Sequence, residues 1–119
     1  MHDFRKLSDS VLASPQLTLA DVDTARSDGV KTIINNRPEG EAADQTPGPL
    51  IEAAARKAGM GYVSIPSRPG QFTEAQVQAM ADTLSRAEGT VLAYCRTGTR
   101  STLLWALAQA KGGMPLETI

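Results

Sequence analysis

Apolar and polar positions along the chain switch repeatedly between a two-residue and a three-to-four-residue period. Short β-type stretches come first, at residues 4–7 and 10–13, and Ser14-Pro15 ends the second. Thr18-Leu19-Ala20-Asp21 reads as a capped helix start, running to Asp28 and stopped by Gly29. The β-branched run at residues 30–35 predicts a strand, and a polar loop carries the chain on to Gly48. A helix is expected over 49–58, with Gly59 and Gly61 beyond its end, then a strand at 62–65 closed by Pro66. Thr73 and Gln76 form a capping box ahead of Val77, Met80, Ala81 and Leu84, which recur at helical spacing until Gly89. Residues 90–94 predict a last strand, and 103–110 read as a buried helix. Strands alternating with helices predict an α/β fold, a mostly parallel sheet of four to five strands with helices on both faces.

The end of the chain breaks this pattern. Gly112-Gly113 interrupts the helix carrying Trp105, and residues 114–119 read as a new helix at Pro115 that is truncated where the sequence stops. Apolar surface left uncovered there would favour self-association, and the oligomeric state stays open.

At 119 residues the chain is expected to be one domain, 1–119, large enough to bury roughly two thirds of its unfolded surface. A net charge of −1 argues against nucleic acid or an acidic membrane as partner. No apolar run approaches the ~18 residues of a membrane span, and the start lacks a signal-peptide core, so a cytoplasmic protein is expected. One cysteine and one histidine allow neither an internal disulfide nor a structural zinc site, and no cofactor or metal is expected. His2, at the terminus, is a poor partner for a cysteine–histidine dyad.

The chemistry concentrates on that single cysteine, in Cys95-Arg96-Thr97-Gly98-Thr99-Arg100-Ser101. A strand in front, a glycine-centred loop and a helix behind aim backbone N–H groups and the positive end of a helix dipole at the sulfur and any adjacent anion. Gly98 permits positive φ, Arg100 adds a planar cationic fork, and Thr97, Thr99 and Ser101 offer hydroxyls. The dipole alone supplies ~0.3–2 kcal/mol, too little to ionise an ordinary thiol at neutral pH, so loop amides and arginine must add to it. A small anion held by Arg96, Thr97, Gly98 and Thr99 fits this pattern better than a polyanion. Arg37 follows a core strand whose C-terminal end should share the sheet edge with Cys95. It either supplies a second cation for the anion or pairs with Glu39 or Glu41, and Arg68 has a weaker claim of the same kind.

The Cys95 run, the stretch 33–41 (Ile-Ile-Asn-Asn-Arg-Pro-Glu-Gly-Glu) and the stretch 65–70 (Ile-Pro-Ser-Arg-Pro-Gly) together resemble the phosphatase-like domain of the bacterial beta-lactamase-hydrolase-like family. The resemblance runs from about Phe4 to Ile119. It implies a protein-tyrosine-phosphatase-like three-layer fold, a bacterial source, Cys95 as nucleophile and Arg100 as the clamp on phosphate oxygens. Ser101 would then stabilise the departing thiolate. The loop, with four residues between Cys95 and Arg100, also resembles that of rhodanese-type sulfurtransferases, which implies a persulfide on Cys95.

Three functions therefore stand side by side. The first is hydrolysis of phosphate monoesters through a cysteinyl-phosphate, with Glu39, Glu41 or Asp44 as the available leaving-group acids. The second is sulfur transfer from a sulfane sulfur donor, which needs no such acid. The third is non-catalytic binding of an anion or phosphopeptide.

Overall fold

The structure is a computed structural model and describes residues 4–111. In chain order it contains β1 (Arg5–Ser8), β2 (Val11–Ser14), α1 (Leu19–Ser27), β3 (Val30–Asn35), α2 (Gly48–Lys57), β4 (Gly61–Ser64), α3 (Glu74–Arg86), β5 (Thr90–Tyr94) and α4 (Thr99–Lys111). His2 and the expected helix at 114–119 lie outside the described residues.

Side-chain chemistry sets where these elements begin. Thr18 and Asp21 exchange hydrogen bonds at the start of α1, the Asp21 N–H donating to Thr18 Oγ1 (3.2 Å) and the Thr18 N–H to Asp21 Oδ2 (2.9 Å). Thr73 and Gln76 do the same for α3, at 3.1 and 2.8 Å. Each box satisfies donors that the first helical turn leaves unpaired.

The strands form one sheet in the order β1-β2-β5-β3-β4. β1 runs antiparallel to β2 at the edge, and every other pairing is parallel. Covered on both faces, β5 is buried from Val91 to Tyr94, and β3 is buried from Ile33 to Asn35, with Lys31 exposed near its start. Val22 and Ala25 of α1 with Ile51 and Ala55 of α2 pack on one face against Ile33 and Leu92. Met80 of α3 with Leu104 and Ala108 of α4 pack on the other against Ile34, Val91 and Ala93.

One expectation needs correction. The helix after Cys95 is not buried all round: it starts at Thr99, and Leu103 and Leu107 are 45% and 43% exposed. Arg100, Ser101, Leu104 and Ala108 take the inner face, and helical geometry turns Leu103 and Leu107, four residues apart, outward. Among the described residues no helix is long and apolar enough to cross a membrane.

Because β2, β5, β3 and β4 are parallel, their C-terminal ends lie on one edge of the sheet. The segments 15–18, 95–98, 36–47 and 65–73 all leave from that edge, where parallel sheets place their ligands.

Candidate active site

Cys95 follows β5 directly and is fully buried. Its N–H donates to Ser14 O (3.3 Å), and Gln16 N–H donates to Arg96 O (3.2 Å), so the loop is tied to the segment after β2. The chain turns at Gly98, whose φ is +92°. A Cβ there would lie 3.3 Å from the Ser14 carbonyl carbon and 3.4 Å from its oxygen, so both backbone angle and space call for glycine. This turn directs the Gly98 N–H at Cys95 Sγ, 3.1 Å away. The Thr99 N–H goes to Thr97 Oγ1 (3.4 Å) rather than to the sulfur. Gly98 O then accepts from the N–H (3.0 Å) and hydroxyl (2.9 Å) of Thr102, which launches α4. The sulfur thus receives one loop amide from a helix N-terminus.

Arg100, one residue into α4, is 6% exposed. Its Nη1 and Nη2 donate to Glu41 Oε2 and Oε1 at 2.9 and 2.8 Å, and Nη1 also donates to Ser67 O at 2.9 Å. None of these bonds uses Nε. The pKa of Arg100 is raised above its ordinary value chiefly by the hydrogen bond to Glu41, with burial opposing; charge and hydrogen bonding from Cys95 add to it. The sulfur and the guanidinium are therefore direct neighbours.

Glu41 also accepts from Arg37 Nε at 2.9 Å. Gripped by two guanidinium groups, its carboxyl is pulled down to about 2, mainly by the Arg100 hydrogen bond, against burial and helped by Arg37. The loop is built to present it. Gln45 accepts from the Glu41 and Ala42 N–H groups and donates to Pro38 O, while Glu39 accepts from the first N–H of α2 at Gly48 (2.8 Å).

Of the two readings of Arg37, the structure shows the pairing one: it is 4% exposed and donates to Glu41 and to Gln16 Oε1 (3.0 Å). Glu39 caps α2, and Glu41 is ionised and paired, so neither stands free as an acid. The Ser101 hydroxyl donates to Asn36 Oδ1 at 2.8 Å. Asn36, fully buried, in turn donates to Ile65 O (3.0 Å), while its own carbonyl accepts from the Ser67 N–H (3.0 Å). Asn36, Ser67 and the positioning role of Glu41 were missed in the sequence. The only signal for Asn36 was an amide pair directly after the apolar Ile33-Ile34.

At the loop opens a cavity of about 450 Å³ lined by the polar Arg96, Thr97, Thr99, Arg100 and Glu41 and by the apolar Pro69, Phe72 and Leu103. Arg96 is exposed, and none of the ion pairs among the described residues uses it. Arg68 does not line this cavity. No cluster of three or more histidine, cysteine or acidic side chains suited to a metal occurs among the described residues.

Residues 3–112 match the phosphatase-like domain of beta-lactamase hydrolase-like protein. The chain belongs to this family. The beta-lactamase hydrolase-like protein of Xylella fastidiosa (strain Temecula1) is 40% identical over 85 residues, 71% of this chain and 20% of that protein. This chain therefore spans about a fifth of that relative's length. A crystal structure of a candidate phosphatase from Neisseria meningitidis Z2491 superposes with a TM-score of 0.83 at 38% identity, covering 95% of this chain and 80% of the other. Kinase-associated phosphatase, at 17% identity, shares the fold alone, with a TM-score of 0.73 over 91% of this chain and 68% of its own. The fold is protein-tyrosine-phosphatase-like, and the domain is phosphatase-like.

Proposed function

We propose that the chain is a cysteine-dependent hydrolase of phosphate monoesters. Cys95, as thiolate, attacks phosphorus in line. The Sγ–P bond forms as the ester P–O bond breaks, and the leaving oxygen departs with the electron pair. Water then attacks the phosphocysteine, the S–P bond breaks, and inorganic phosphate leaves as the thiolate returns. The Gly98 amide stabilises the sulfur as thiolate, and the Nε of Arg100, unused in the bonds to Glu41 and Ser67, serves the negative oxygens. The observation carrying this reading is Cys95 Sγ accepting from the Gly98 N–H and interacting with a guanidinium that Glu41 holds through its two Nη atoms. Its test is hydrolysis of 4-nitrophenyl phosphate by wild type and Cys95→Ser. Wild type should be faster by about a thousandfold or more; equal rates refute the proposal.

A second reading is favoured by one observation, the complete burial of Cys95 beneath a loop with only four residues before Arg100. Such a cup suits a single added sulfur atom. Cys95 would attack the outer sulfur of thiosulfate, forming an Sγ–S bond while the S–S bond of thiosulfate breaks and sulfite leaves with the pair. A glutathione thiolate would then take that sulfur as glutathione persulfide and restore the Cys95 thiolate. A mass gain of one sulfur on Cys95 after thiosulfate, cleared by glutathione, supports this reading, and no gain rejects it.

A further inference from the structure

The cavity above the Cys95 loop holds more than the transferred group requires. Its lining contains two arginines in different states. Arg100 is paired with Glu41, which it shares with Arg37, and tethered to Ser67. Arg96 is exposed, enters no ion pair among the described residues and lines the same cavity. The rest of its lining is largely apolar, from Pro69, Phe72 and Leu103. Leu103 is 45% exposed on a helix whose inner face is already filled by Leu104 and Ala108. The one carboxylate lining the cavity, Glu41, is already engaged by two guanidinium groups, so it leaves Arg96 uncompensated. The cavity volume, about 450 Å³, falls in the range of small-molecule sites and exceeds what a bare phosphate fills.

We infer that Arg96 is a specificity residue that selects substrates carrying a second acidic group, joined to the transferred group through an apolar body lying along Phe72 and Leu103. This rests on the phosphate-ester reading and names its substrate class. An exposed arginine at a cavity mouth pairs well with a carboxylate because its planar fork donates two parallel hydrogen bonds to the carboxylate oxygens. The gain is largest where the apolar wall excludes water from one side of the pair. Since the chain as a whole carries a net charge of −1, the attraction is local to this mouth rather than a property of the surface.

The test compares phenyl phosphate with 3-carboxyphenyl phosphate, whose phenols leave with similar acidity, on wild type, Arg96→Gln and Arg96→Lys. Wild type should prefer the carboxylated ester by about tenfold in kcat/KM, through KM, with the preference shrinking as salt rises. In Arg96→Gln the ratio should fall to about one, and Arg96→Lys should retain part of it. Calorimetric binding of the same two esters to Cys95→Ser should give the same ratios in Kd. If wild type hydrolyses neither ester, the hydrolase reading fails, yet the Cys95→Ser binding ratio still decides the role of Arg96. A wild-type ratio near one, or a ratio unchanged in Arg96→Gln, overturns the inference.

Discussion

At the scale of single residues, two positions carry the site. Gly98 combines φ of +92° with the close approach of Ser14, so Gly98→Ala should lose about 1–3 kcal/mol in urea unfolding and pull the loop amide off Sγ. Glu41 is the other. Its pKa is lowered from 4.5 to about 2 in the folded protein, so its contribution to stability is complete above the unfolded value and disappears as pH falls through about 2. Unfolding free energy should therefore drop between about pH 5 and pH 2, and in Glu41→Gln that segment of the curve should flatten. An ionised Glu41 also cannot protonate a leaving oxygen. Esters with acidic phenols should be cleaved far faster than alkyl phosphates, and equal rates for 4-nitrophenyl and ethyl phosphate would contradict this.

At the scale of elements, local chemistry was readable and long-range pairing was not. The Thr73 and Gln76 capping box, the strand at Val30–Asn35 and the glycine turn at Gly98 rest on neighbours within a few residues, and all stand where the sequence placed them. The pairing of Glu41 with Arg100 spans 59 positions. Nothing in the spacing of the loop at 36–47 distinguishes a carboxylate that holds an arginine from one in solvent. The outward turn of Leu103 and Leu107 escaped notice for a related reason. An apolar helix reads as buried until its start fixes its rotation. Asn36 joins the ends of β3 and β4 to α4, through Ile65 and Ser101. Asn36→Ala should strand those buried partners, lowering stability by about 2–3 kcal/mol in chemical denaturation and loosening the registry of Ser101 beneath the loop.

At the scale of the whole molecule, the parallel strands gather four loops onto one edge, while the core lies in two layers either side of β3 and β5. Amide exchange should accordingly be slowest in β5 and β3, flanked on both sides by strands, and faster in the antiparallel edge strand β1. A rigid sheet under a hydrogen-bonded loop system lets one thiol, one amide and one guanidinium keep their relation while a ligand exchanges above them. The most direct test is the intact mass of the protein quenched during turnover of 4-nitrophenyl phosphate. The account predicts one phosphoryl group on Cys95, absent from Cys95→Ser. Turnover without any adduct on Cys95, at a rate shared by Cys95→Ser, would contradict it.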